Sequence, residues 1–232
     1  MGYPFQLFAQ NSKLNVLDSA KTVKLVDSLN KLAFNRKSYN VLDALNILIQ
    51  AKDYAEKVNY HKGLTNAYYT EAGIFQQNGF NKRAHLLYEI ALDNSLKYDD
   101  TLAIPKINIQ IAAYELLAGK VDDAIKLYNQ SMQSCIKFGQ ITEVANIKNS
   151  LGLIEIKRKN YPKAASLFNE ALQISQTNKF IYGQKKSFYN LGLLAIAQKD
   201  IATARLNFNN SIAFDIELKL SLIHISEPTR PY

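Results

Sequence analysis

An all-α solenoid of antiparallel helix pairs is the fold class this sequence predicts. Two periodic observations and one omission predict it. Ala44, Ala84, Ala124, Ala164 and Ala204 lie 40 residues apart, an interval in the range of stacked repeats. Other positions recur in phase with them. Leu48, Tyr88, Tyr128, Phe168 and Phe208 come four residues later, and Ala51, Ala91, Ser131, Ala171 and Ser211 come seven later. Ala72, Ala112, Gly152 and Gly192 come twelve earlier. The omission is of helix breakers: 9 glycines and 5 prolines in 232 residues leave long uninterrupted stretches.

Each unit divides into a leading and a trailing helix. Five units run from about Ser28 to Lys219, the first with a weak leading helix. The fourth shows the pattern most fully. Its leading helix is expected from about Thr142 to Arg158, with Gly152 where two helices approach most closely. Its trailing helix, Tyr161 to Gln176, places Ala164, Leu167, Phe168, Ala171 and Leu172 on one stripe. Asn160 is expected as the N-cap, and Pro162 sits in the first turn, where its missing N–H costs nothing. Asp122 and Asp123 occupy that first turn one unit earlier, and Asp200 caps the last unit. The links at Asn78 to Asn81, Ala118 to Val121, Lys159 to Tyr161 and Lys199 to Ile201 are short, which forces antiparallel neighbours. Helices of roughly 17 residues at about 1.5 Å rise give rods of about 25 Å.

A packing code follows from the pattern. The small residue lets one helix seat closely against its partner, and the aromatic ring one turn on fills the gap to the neighbouring unit. A single pair cannot bury its apolar face, so pairs must stack. Cys135, the only cysteine, falls on the pattern of a small core residue and excludes an internal disulfide.

The net charge of +8 raises nucleic-acid binding as a function. Its basic residues are mostly lysine, however, and the arginines (Arg36, Arg83, Arg158, Arg205 and Arg230) are scattered rather than clustered. A solvated lysine-rich surface is the expectation, with no nucleic-acid partner. No run of 18 or more apolar residues occurs, so no membrane insertion is expected.

The ends read differently from the middle. Residues 1–12 begin apolar and turn polar at Gln10, with a small residue at Ala9, as at the tail of a secretory signal peptide; a short untethered N-terminus reads equally simply. The first reading places the chain outside the cytoplasm and the second leaves it inside. Residues 220–232, from Leu220 through His224 to Arg230, resemble the in-frame translation of a sequencing-library adapter and are set apart from the array of residues 13–219. On that reading the natural gene continued.

The runs Leu151, Gly152, Tyr161, Ala164, Phe168, Ala171 and Leu172, and Asn190, Leu191, Gly192, Ala204, Phe208 and Ser211, resemble tetratricopeptide repeats. The resemblance implies a right-handed superhelix. It departs from the common pattern in its 40-residue unit, where about 34 is usual, and in lacking the closing proline and any tryptophan. Longer units of this kind are similar to those of peptide-sensing proteins and of arrays that precede output domains in bacterial signalling proteins.

That resemblance also implies where a partner sits. The leading helices face the concave side, which carries Asn66, Lys106, Asn146 and Lys186, one per unit, to the groove. Tyr69, Asn149 and Tyr189 come next along, with Ile109 breaking the polar row. Alternating Asn and Lys can hold an extended peptide by its backbone amides and a carboxylate, and tyrosine adds rigid apolar area. The implied partner is a protein or peptide ligand.

No chemistry-bearing motif accompanies this. His224 lies within the adapter-like tail, His61 and His85 are expected in different helical contexts with no cysteine or carboxylate at metal spacing, and no phosphate loop, nucleophile elbow or zinc-protease motif occurs. Glu155 and Glu170 are expected as exposed helix residues. No catalytic residue, metal or cofactor is assigned. The chain reads as a peptide-binding sensory or interaction region of a larger bacterial signalling or regulatory protein, or as a stand-alone scaffold for folded partners.

Overall fold

The computed structural model describes residues 5–226 of the chain, with side chains from residue 18 to residue 214. The expectations for the two ends fall largely outside these bounds. Among the described residues the chain is helical throughout, with no strand, and forms an all-α repeat solenoid. Ten helices follow in order: α1 Phe5–Arg36, α2 Val41–Lys57, α3 His61–Gln77, α4 Asn81–Lys97, α5 Ile104–Leu117, α6 Val121–Lys137, α7 Ile141–Lys157, α8 Tyr161–Thr177, α9 Ile181–Ala197 and α10 Ile201–Ser226. They fall into two compact units, α1 to α5 and α6 to α10.

Most helices are 17 residues long. What stops them is a left-handed residue. Asn59, Gly79, Asp99, Gly119, Gly139, Lys159, Lys179 and Lys199 all have positive φ, and they recur every 20 residues. The 40-residue repeat thus contains two equal half-steps, each a helix closed by the same turn. At Lys159 the Asn160 N–H donates to Glu155 O at 2.9 Å and the Lys159 N–H to Ile156 O at 2.9 Å. This Schellman pairing satisfies carbonyls the helix would otherwise leave orphaned. It is repeated at Asn59, Gly79, Gly139, Lys179 and Lys199.

N-terminal capping is uneven. Asp200 accepts from the Thr203 N–H at 3.0 Å, and hydrogen bonding from the Thr203 side chain and then its backbone holds the carboxyl below the ordinary aspartate value. Asp122 and Asp123 stand in the first turn of α6. Asn160 occupies the cap position of α8 but makes no side-chain capping bond, against the sequence expectation. Its role is geometric: it carries the Schellman N–H and leads into Pro162.

In the first unit α1 packs on α2 and α3, α2 on α3, and α4 on α3 and α5. Ala44, Ala67, Ile74 and Leu48 are buried together beneath Val41 and Leu45. In the second unit α7 packs on α6, α8 and α9, and α9 on α8 and α10. Ala164, Phe168 and Leu194 are buried together there, flanked by Tyr161, Ala165 and Leu191.

The evenly spaced alanines Ala44, Ala84, Ala124, Ala164 and Ala204 are all at most 2% exposed. Tyr88, Tyr128 and Phe168 are buried as well, and Phe208 is half-buried. The tight approach expected at Gly152 is present: a Cβ there would lie 2.4 Å from Phe168 Cε1. Gly192 meets Phe208 in the same way at 2.5 Å. Where the ring is Tyr88, the matching position is Ala72 rather than glycine, and the Tyr88 hydroxyl donates to Gln76 Oε1 at 3.0 Å. Burial pushes the Tyr88 hydroxyl pKa far up. Cys135 is buried, as its place in the pattern requires.

Candidate functional site

The residues of the expected polar row stand on α3, α5, α7 and α9, and each unit holds its own part of them. In the first unit Asn66 and Lys106 are exposed, on α3 and α5. Tyr69 is half-buried; its ring tilts against Tyr88 with centroids 5.5 Å apart, and its hydroxyl accepts from Gln110 Nε2 at 3.5 Å.

In the second unit α7 and α9 pack together and carry four of the expected residues, Asn146, Asn149, Lys186 and Tyr189. Asn146 and Lys186 are half-buried and Tyr189 is 50% exposed. Tyr189 leans on Phe208 at 5.5 Å between centroids. Asn146 donates to Glu143 Oε2 at 3.0 Å, while its own amide oxygen is buried without a hydrogen-bond partner. Burial pushes the Lys186 ammonium below the ordinary lysine value, and the Glu143 carboxylate opposes that shift. The pair therefore offers a buried acceptor and a partly dehydrated cation, one repeat apart on neighbouring helices. Both gain more from a ligand's hydrogen bond than a fully hydrated group would.

Asn149 is placed differently from the sequence expectation. It is fully buried rather than facing a groove. Its amide donates to Ser187 Oγ at 3.0 Å and to Ala145 O at 3.2 Å, and its oxygen accepts from Asn190 Nδ2 at 2.9 Å. These bonds staple α7 to α9 behind the polar row and leave no amide group over for a ligand. Glu155 is a second correction. It is 5% exposed, not a surface residue, because Lys163 at 3.0 Å and Arg158 at 3.7 Å neutralise it under the helix end. Glu170 is half-buried and pairs with Lys148 at 2.6 Å, which together with Ser166 holds its carboxyl below the ordinary value.

Sequence reasoning did not single out Glu143 or Ser187, and it named Asn190 only as part of the repeat signature. Glu143 was within reach of it, standing three residues before Asn146 on the same helix face. The staple was not, because it joins positions 38 and 41 residues apart through side chains of no fixed type.

Among the described residues no group of three or more His, Cys, Asp or Glu could hold a metal ion. None of the helices, over the described residues, is long and apolar enough to cross a membrane.

The model of one family, described as Tetratricopeptide repeat, matches residues 104–177. No curated protein sequence matches the chain. Solved structures do. BtubC (BKLC) from P. vanneervenii superposes with a TM-score of 0.56 at 17% identity, covering 92% of this chain and 93% of its own. A putative kinesin light chain from Podosopora anserina with nearly identical TPR-like repeats gives 0.55 at 16%, covering 83% and 96%. NprR in complex with its cognate peptide NprX gives 0.66 at 19%, covering 93% of this chain and 66% of NprR. The apo form of this quorum sensor from B. thuringiensis gives 0.58 at 19% identity, covering 90% and 64%. At these identities the likeness is one of fold.

Proposed function

We propose that this chain, whose residues 104–177 match the tetratricopeptide repeat family, binds an extended protein or peptide segment along the part of the polar row carried by α7 and α9 of its second unit. The observation that carries the reading is the Asn146–Lys186 pair. A hydrogen-bond acceptor buried without a partner costs free energy until something donates to it. A backbone N–H of an extended peptide is a suitable donor, and Lys186, which shares the Glu143 carboxylate's field with Asn146, can take a peptide carbonyl or carboxylate. Tyr189 supplies exposed aromatic area next to the pair. Asn66 and Lys106 carry the same residue types on α3 and α5 of the first unit. The similarity to NprR bound to its peptide supports the reading. In the wider setting we place the array as the sensory or interaction region of a larger bacterial signalling or regulatory protein.

The test uses peptides selected from a displayed random library against the full chain. Asn146→Ala with Lys186→Ala should weaken the selected peptides by at least about tenfold, which is about 1.4 kcal/mol, with helicity unchanged. If the double variant binds every selected peptide as well as the parent, the row is not the site.

A further inference from the structure

The repeat's packing code is broken at two adjacent places in α4. The first residue of each trailing helix is Val41, Asn81, Val121, Tyr161 and Ile201, and the fifth is Leu45, His85, Ile125, Ala165 and Arg205. In α2, Val41 and Leu45 both pack onto the buried cluster of Ala44, Leu48 and Ile74. In α8, Tyr161 and Ala165 do the same over Ala164, Phe168 and Leu194. In α4 both positions are polar, and a cavity of about 700 Å³ opens beside them. Its walls include Phe80, Tyr114 and Leu117, with Asn81, Lys82 and Arg83 along one side. All of these belong to the first unit.

The cavity has a defined chemistry. Phe80 and Leu117 are 60% and 68% exposed, so their apolar surface stands open to solvent. Arg83 is held over the Phe75 ring at 4.1 Å, which orders its guanidinium. None of the lining residues is acidic. A narrower recess continues inward past Asn81, Tyr114 and Leu117 to His85, Gln76 and Gln110. There His85 stacks on Tyr114 at 4.0 Å with its ring nearly parallel, and its Nδ1 is buried without a hydrogen-bond partner. The other ring nitrogen lies 3.3 Å from Glu89. An apolar wall with two cations at one side suits a ligand with an apolar body and one anionic head.

We infer that the cavity beside Asn81 binds an apolar carboxylate, its body against Phe80, Tyr114 and Leu117 and its carboxylate toward Lys82 and Arg83. A free aromatic acid and the C-terminal residue of a peptide present the same chemistry. This site does not use the Asn146–Lys186 pair, which lies in the second unit.

Titration calorimetry on the full chain tests the assignment with three probes: N-acetyl-phenylalanine, a short peptide ending in a free phenylalanine, and the same peptide amidated at its C-terminus. At least one acid should bind saturably, and the stronger of the two identifies the source. The amide should bind at least about tenfold more weakly than the acid peptide. Asn81→Tyr installs the residue that fills this place in α8. It should abolish binding while leaving the melting temperature unchanged or raised. Arg83→Gln, an exposed change that removes the guanidinium from above the Phe75 ring, should weaken binding at least about tenfold with the chain still folded. Asn146→Ala should change nothing. Absence of saturable binding by both acids, equal binding of the amide, or undiminished binding by folded Asn81→Tyr or by Arg83→Gln would overturn the assignment.

Discussion

Two glycines in the middle of leading helices should respond oppositely to the same substitution. Replacing a mid-helix glycine by alanine ordinarily stabilises by about 0.8–1.0 kcal/mol, because alanine loses less backbone freedom. At Gly73 nothing stands in the way: the nearest atom to a new Cβ is the Tyr88 hydroxyl oxygen at 3.8 Å. Gly73→Ala should keep the full gain. At Gly152 the new Cβ would lie 2.4 Å from Phe168 Cε1 and 2.8 Å from both Cδ1 and Cζ. Ordinary contact begins near 3.4 Å, so the ring or the helix must move by about 1 Å. Phe168 is fully buried and has nowhere to swing. Overpacking of this kind costs about 1–3 kcal/mol, which meets or exceeds the propensity gain. The two variants should therefore differ by about 1–3 kcal/mol, Gly152→Ala being the less stable. Urea denaturation followed by circular dichroism gives the difference, and hydrogen exchange in α7 and α8 localises it. Adding Phe168→Leu to Gly152→Ala should cost less than Phe168→Leu alone, since the ring that clashes is gone. Equal stability of the two alanine variants, or strict additivity in the pair, would refute the small–large packing argument.

Other outcomes follow from the same geometry. Ala124→Leu should lose about 1–3 kcal/mol by overpacking a fully buried site, and Tyr128→Ala about 3–5 kcal/mol by emptying one, both read from thermal melts. Lys179→Gly should gain on the order of 1 kcal/mol, because the left-handed φ of 52° penalises a side chain and not glycine; an unchanged melting curve would contradict this. Lys186 has a folded-state pKa below the unfolded value of 10.5, so the unfolded chain binds more protons just below that pH. Stability should accordingly rise with pH through that interval, and Lys186→Met should flatten the rise in pH-resolved denaturation. Asn149→Ala should cost about 1–3 kcal/mol by leaving Ser187 and Asn190 short of partners, with no matching change for Asn66→Ala on the exposed row.

The architecture was legible because packing constrains residue type. Only a small side chain fits where Ala44, Ala84, Ala124, Ala164 and Ala204 sit, so the 40-residue period survives in the letters. The 20-residue half-step was hidden for the opposite reason. A left-handed helix stop needs a conformation, and Asn59, Gly79, Asp99 and Lys159 all adopt it despite sharing no chemistry. The polar row was half legible. Asn146 and Lys186 could be placed by phase alone, but phase does not separate a side chain that faces outward from one bonded inward. Asn149 has its amide turned to Ser187 and Asn190 by the close approach of α9, a tertiary fact with no local trace. Glu155 misled in the same way, since Lys163 comes eight residues later across a turn.

Within each unit, the packed helices are neighbours in the chain or one place removed. No distant segment has to be found before a local piece becomes useful, so loop-closure entropy is met in small, similar steps. Within either unit, a nascent chain leaving the ribosome can therefore acquire structure a hairpin at a time, each new helix laid on the one just completed.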